Sequence, residues 1–418
     1  MKLAIVGTGI AGLGAAHRLH PRHTLTLYEK QNRVGGHSNT VDIDYDGVPM
    51  SVDTGFIVFN GRNYPLLTGL FTDLQVPLES TDMSFGVSLG GGAFEWCGHS
   101  LDTLFTQRKN AVSPRFLRML IDINTFFKAA RRDLDRDTIG RRSLGDYLSD
   151  LTVGETFRSG FVQPMGAAIW SMPKARVLDF PAQSFIRFFE NHRLLGFERP
   201  RWQTVTGGSR VYVDRLTAPF RDRIRVGCGA VSVTRTDDGV AVRDSAGGVD
   251  TYDRVLLACH SDEALALLGD ADRDEQAILG AIGFAPNTAF LHRDPALMPR
   301  RRKAWAAWSV LESAPDAPVC VSYWMNALQN LDPARPLFVT LNPATPPRDD
   351  LTFARMVYDH PQYDGPAVLA QERLSTIQGR RKVWFAGAWC GYGFHEDGLR
   401  AGYAAADGIE ADALEALS

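Results

Sequence analysis

Leu3-Ala4-Ile5-Val6-Gly7-Thr8-Gly9-Ile10-Ala11-Gly12-Leu13-Gly14 runs from a short apolar block straight into a glycine turn. Leu3 to Val6 fits a buried parallel strand, and the residues from Leu13 to Leu19 are helical in composition. A second apolar strand, Thr24 to Tyr28, ends at Glu29. Strand, turn, helix, strand and acid in this order have the spacing of a dinucleotide-binding βαβ unit. Gly7 permits the tight turn, Gly9 lets backbone N–H groups approach a pyrophosphate, and Gly12 lets helix and strand pack closely. Glu29, about 20 residues on, is placed to accept hydrogen bonds from the adenosine ribose hydroxyls. The bland alternative is a glycine-rich turn with no ligand; the strand, helix and acid around it favour the dinucleotide.

The chain has 418 residues, which points to more than one domain. A net charge of -3 argues against a nucleic-acid binder that works by phosphate neutralisation. Cys97, Cys228, Cys259, Cys320 and Cys390 are odd in number and scattered, with no CxxC, which suits a reducing compartment and points away from a disulfide framework or a metal site. No apolar run has the length of a membrane span. The glycines near the N-terminus interrupt what would otherwise look like a signal peptide. Together these imply a cytoplasmic protein, with room for peripheral attachment at the inner face of a membrane.

Beyond Glu29 comes Arg33-Val34-Gly35-Gly36-His37. This second glycine pair resembles the ExxxRxGG signature of the amine oxidase and carotenoid desaturase superfamily of FAD enzymes. The resemblance implies that the loop folds over the diphosphate, with Lys30, Arg33, Gly35, Gly36 and His37 in the cofactor site. The family usually has Arg after the glycine pair, so His37 is a departure. Asp53-Thr54-Gly55-Phe56 resembles the family's D-x-G segment, which places Gly55 near the flavin. Asp42, Asp44, Asp46, Gly47 and Asp53 mimic a calcium-binding loop. However, apolar residues alternate on both sides of Asp46-Gly47, which reads as a β-hairpin.

From Asn60 to about Gln203 the pattern turns helical, as in Leu66 to Leu74 and Phe116 to Ala130. Arg225 to Cys259 then reads as a β-meander ending in a strand that returns to the first sheet. Ala230-Val231 sit where the family holds the adenine by backbone contacts, so Val231 joins the expected site. The expected architecture is α/β: a Rossmann-like FAD-binding domain with an interleaved α+β substrate-binding domain, an amine oxidase-like two-domain fold. The FAD-binding pieces are 1–60, 205–265 and 381–418, and the substrate-binding pieces are 61–204 and 266–380.

Phe385 to Gly402, "FAGAWCGYGFHEDGLRAG", supplies the second half of the cofactor site. Gly387 and Ala388 match the family's terminal turn. A helix opening near Gly398-Leu399 would aim N–H groups at the flavin's pyrimidine edge and stabilise negative charge there. Noncovalent FAD is expected, because the family's covalent-attachment motif is not matched at Cys390.

One dinucleotide module implies a flavin reduced by the organic substrate and reoxidised by oxygen, a quinone or another acceptor. His395 is the candidate base, with Glu396 or Asp397 to orient it. The alternative is that the acids cap the terminal helix and His395 contacts the cofactor. Pro164 to Val213 together with "GYGFHEDGLRAG" resembles a bacterial group of flavoproteins similar to desaturases of methyl-branched fatty acids in furan fatty acid formation.

That resemblance implies a lipid-like substrate and FAD-dependent desaturation of an acyl chain. Flavin amine oxidase, fatty acid double-bond isomerase and non-catalytic flavin-binding assembly factor stand as alternatives. Trp170, Phe185, Tyr323 and Tyr392 are the candidate substrate residues. Phe161, Ile169, Met172, Phe180, Phe188 and Phe189 make the same block apolar, mostly as core. Arg115, Arg118, Arg131 and Arg132 flank a helix that fits either a solvated basic face or an anionic membrane surface. Oligomeric state and the identity of the acceptor are not legible.

Overall fold

The computed structural model describes residues 1–170, 173–191, 194–196, 200–314 and 319–415, so Met172 lies outside the described residues. The glycine turn joins β1 (Lys2–Val6) to α1 (Ile10–Leu19), and β2 (Thr24–Tyr28) follows. β1 is buried along Leu3–Val6, as a central strand covered on both faces must be. It pairs in parallel with β2 on one side and with β4 (Arg254–Leu257) on the other. β3 (Ile224–Arg225) extends the β2 edge, and β5 (Val383–Phe385) closes the β4 edge. The order is therefore β3-β2-β1-β4-β5, drawn from the start, middle and end of the chain.

Both faces of this sheet are covered. On one side α1 packs against α2 (Pro65–Asp73) and the terminal helix α3 (His395–Glu415) in a single apolar cluster. α1 and α3 approach closely through glycine: a Cβ on Gly402 would lie 2.1 Å from the Ala11 carbonyl oxygen. A Cβ on Gly14 would lie 2.5 Å from Leu399. On the other side lies the three-stranded meander Ala230–Thr236, Gly239–Asp244 and Val249–Tyr252. Helices Arg273–Leu279 and Gly365–Arg373 complete that cluster.

A seven-stranded sheet forms the second layer system, in the order 352–362, 283–292, 338–341, 319–324, 308–312, 85–89, 94–97. Only the 308–312 and 85–89 pair is parallel. Beside it sits a helical cluster in which Pro114–Asp135 buries Phe116, Met119, Ile123 and Phe126 at helical spacing. The Phe126 ring meets Phe157, Phe185 and Phe189. Asp46 and Gly47 both take positive φ, 52° and 85°, in the turn between Thr40–Tyr45 and Val48–Asp53. That is the backbone a two-residue hairpin demands.

Three segments expected in the inserts pack instead against the parallel sheet. Pro65–Asp73 buries Leu67, Leu70 and Phe71 beside α1, while 273–279 and 365–373 cover the opposite face. Burial on the two faces of one sheet decides their place, and helical composition alone does not specify which sheet a helix covers. Among the described residues, no helix is long and apolar enough to cross a membrane.

Candidate cofactor and active site

The first wall is built from backbone. Gly7 has φ 101°, and a Cβ there would lie 2.6 Å from the Ala258 carbonyl oxygen. A Cβ on Gly12 would lie 2.1 Å from the Gly7 oxygen. Gly9 differs: it is the N-cap of α1 at φ -70°, supplies no side-chain cap, and has open space where its Cβ would be. The α1 N-terminus thus keeps its N–H groups for a ligand, and its first turn contains no acid to repel an anion.

The second glycine pair closes over this turn. Gly35 N donates to Thr8 O at 3.0 Å, and a Cβ on Gly36 would lie 2.9 Å from Gly9 Cα. Arg33 Nη1 donates to Gly36 O at 2.6 Å, so the guanidinium first holds the loop in shape. Gly55 is required by the same loop: a Cβ there would lie 2.1 Å from the His37 oxygen.

Glu29 is buried at the end of β2. Its carboxylate accepts from Thr8 N at 3.1 Å, Thr8 Oγ1 at 2.5 Å and Gln31 N at 2.8 Å. These contacts fix the acid beside the turn, and each oxygen retains acceptor capacity for a ribose hydroxyl. Lys30 forms an ion pair with Glu263. Val231 sits at a bulge, where the register slips between Ala230 and Ser232, and it is 50% exposed. A bulge releases backbone groups from the ladder, as an adenine contact requires.

His37 stacks between Tyr358 (5.0 Å) and His360 (5.7 Å), and its Nε2 is buried without a partner. Burial, then the neighbouring His360, His260, His395 and Arg33, pull its pKa down to about 3.

The second wall comes from the other end of the chain. Gly387 is extended and is covered by Trp389, whose Nε1 donates to Cys259 O at 2.9 Å. This ties the turn after β5 to the turn after β4. Ala388 O accepts from both Gly391 N and Gly393 N at 3.1 Å. Gly393, at φ 91°, then swings the chain into α3. Burial pushes the Cys390 thiol up to about 12, so it stays protonated.

α3 opens at His395, three residues before the expected Gly398. Asp397 Oδ2 accepts from Phe394 N at 3.0 Å, and Gly398 N already donates to Phe394 O. The helix's first free N–H groups therefore belong to His395, Glu396 and Asp397. Leu399 is fully buried against Gly14, so its side chain belongs to the α1–α3 contact. Gly398 lets the helix approach Ile10, from which its Cβ would be 2.8 Å.

His395 Nε2 meets Tyr212 Oη at 2.7 Å and Ser38 Oγ at 3.1 Å, and those two hydroxyls bond each other. The ring stacks on Phe56 at 3.9 Å and 12°. Burial pulls its pKa down to about 3, so the imidazole is neutral near pH 7. Glu396 does not orient it. The Glu396 carboxylate accepts from Leu66 N at 2.9 Å and Leu67 N at 3.0 Å, capping α2 from another helix. The reason is that Tyr64 and Pro65 leave the start of α2 with no side-chain cap of its own. Asp397 is likewise spent on a backbone N–H.

Of the four expected substrate residues, Trp170 joins an aromatic path that leads to His395. Trp170 meets Phe188 at 5.0 Å, and Phe188 stacks on Phe394 at 5.3 Å. Phe185 is fully buried between Phe126 and Phe189 and is core. Tyr323 stacks on Trp308 in the seven-stranded sheet, and Tyr392 is 37% exposed on the turn before α3.

Sequence reasoning missed Ser38 and Tyr212. Asp53 of the D-x-G segment is buried and bonded to Thr40, Ser209 and Gln329, which locks the hairpin to the helix of Tyr212. The motif glycines were the available signal for the first wall; these side chains come from separate segments with no fixed spacing.

The two walls fit FAD. The uncapped helix N-terminus behind the glycine cradle could hold the diphosphate, Glu29 a ribose, the bulge at Val231 the adenine and the α3 opening the flavin. A family model described as flavin containing amine oxidoreductase matches residues 10–327. Cyclohexylamine oxidase from Brevibacterium oxydans IH-35A is similar in structure, with TM-score 0.72, 16% identity and 99% of each chain covered. A CLA-producing fatty acid isomerase from P. acnes aligns at TM-score 0.67 and 15% identity, covering 98% of this chain and 97% of that one. Putrescine oxidase bound to putrescine aligns at TM-score 0.68 and 15% identity, covering 98% and 99%. Curated protein sequences give no match.

Proposed function

We propose a reaction for this chain, which belongs to the flavin-containing amine oxidoreductases and uses FAD: desaturation of a lipid acyl chain, with a methyl-branched unsaturated chain as the preferred substrate. Bound FAD supplies the hydride acceptor. The observation that carries the substrate class is Phe394. It packs against both the α1–α3 cluster and the helical cluster, so the protein beside His395 is aromatic. Glu396 and Asp397, the acids next to it, are held by backbone N–H groups, which leaves an apolar partner as the better match than an alkylammonium.

In this reading Trp170, Phe188 and Phe394 align the chain and exclude water. His395 takes up a proton at Nδ1, while Nε2 donates to Tyr212 Oη or Ser38 Oγ. Burial keeps the ring neutral. The same burial makes the imidazolium costly, so it holds a proton only beside a compensating negative charge. Tyr212 and Ser38 position the ring.

Anaerobic mixing of the FAD-loaded protein with a methylated unsaturated phospholipid or its free acid is the test. Bleaching of the flavin with a new double bond in the product is expected. Bleaching by amines alone would overturn the reading, and rearranged double bonds without bleaching would make the protein an isomerase.

A further inference from the structure

Four of the exposed large apolar side chains lie within one short stretch: Leu101 (76% exposed), Val112 (80%), Leu117 (39%) and Ile121 (61%). Leu117 and Ile121 are one turn apart on the outer face of the helix Pro114–Asp135, which opens directly after Val112. Residues adjacent to Val112 and Leu117 in sequence line a cavity of about 460 Å³, with Phe94 and Phe116 in its apolar lining and Lys109, Ser113 and Arg115 in its polar lining. Lys109 and Arg115 carry no carboxylate partner among the described residues. Their neighbours Arg108 and Arg118 are held by Asp102 and Asp122. Exposed Glu155, next to cavity-lining Thr156 in sequence, is the charge that works against them.

We propose that this face docks on an anionic phospholipid surface, with Val112, Leu117 and Ile121 entering the acyl boundary and Lys109 and Arg115 receiving a phosphate headgroup. Exposed aliphatic groups beside unpaired cations are what a headgroup–acyl boundary rewards, because apolar burial and attraction to negative lipid act together. A soluble acidic partner would satisfy the cations but leave the aliphatic groups in water. The surface is remote in sequence from the cofactor residues, so the inference stands apart from the acyl-chain reading.

The test is cosedimentation of the FAD-loaded full chain with vesicles of phosphatidylcholine alone, or with about one third phosphatidylglycerol. Binding to the anionic vesicles that weakens with added salt is expected. Lys109→Gln with Arg115→Gln should lower partition about thirtyfold, at roughly fivefold per charge. Leu117→Ser with Ile121→Ser should also lower it. Both pairs should leave the flavin spectrum and unfolding temperature unchanged, since the side chains are on the surface. Equal partition into neutral vesicles, absence of binding, or insensitivity to both variants would overturn the proposal. So would a concentration-dependent dimer, seen by sedimentation, that Ile121→Ser dissolves, because the face would then join two copies.

Discussion

The glycine wall and the His395 wall of the candidate cofactor site are made of different material. Around Gly7, Gly9, Gly12 and Gly36 the shape is set by backbone, and added methyl groups at three of these positions collide with backbone atoms at 2.1 to 2.9 Å. Around His395 the shape is set by side chains that arrive from residues 38, 56, 212 and 394–396. A backbone-built wall tolerates almost no substitution but is indifferent to distant sequence. The side-chain wall depends on packing from every quarter of the chain.

The sharpest way to break this comparison is within the glycines themselves. Gly12→Ala should destabilise the apoprotein by about 3 kcal/mol, through overpacking against the Gly7 carbonyl, and should abolish FAD retention. Gly9→Ala has room and an ordinary φ, so its stability should change by under about 1 kcal/mol while FAD is lost. Thermal unfolding beside flavin absorbance separates the two, and equal destabilisation would show that the distinction is wrong.

On the His395 wall, His395→Ala should keep FAD and slow flavin reduction by about a hundredfold or more. Loss of FAD with activity would move His395 to cofactor binding. Tyr212→Phe should be milder, about tenfold, because Ser38 still reaches Nε2 and an unsatisfied buried group costs about 1–3 kcal/mol. Stopped-flow reduction measures both.

Acid should act on the side-chain wall next. His37, His360 and His395 have folded pKa values pulled down to about 3, 4 and 3, all below the ordinary 6.5. The unfolded chain therefore binds protons first, and stability present above pH 6.5 is lost as pH falls toward 4. Asp397, raised to about 6 by burial, opposes this, since its contribution is present below its ordinary 3.8 and lost as pH rises through 6. Urea midpoints of the apoprotein should fall between pH 7 and pH 5, and more steeply in Asp397→Asn. The smallest expected effect is Val231→Ala, which leaves the bulge backbone in place and should change FAD affinity by less than about threefold.

The same contrast explains what was legible. The glycine turn, the Glu29 strand end, the Asp46-Gly47 hairpin and the returning strands at 254 and 383 carry local patterns, because turn geometry and strand burial act over a few neighbours. Tyr212 meeting His395 spans 183 residues and leaves no local trace. Glu396 looked like a helper for its neighbour His395. It instead answers the uncapped start of α2, 330 residues away in sequence, which only the folded arrangement brings near. Phe185 looked like a pocket residue because aromatic composition does not say which rings face inward.

The β4 edge of the parallel sheet stays uncovered until residues 383–385 add their strand. In chain order the glycine turn is made well before residues 383–415, the strand and helix that close over it. Cofactor capture should wait for those residues, so the growing chain passes through an interval with an open strand edge and an unmet helix N-terminus.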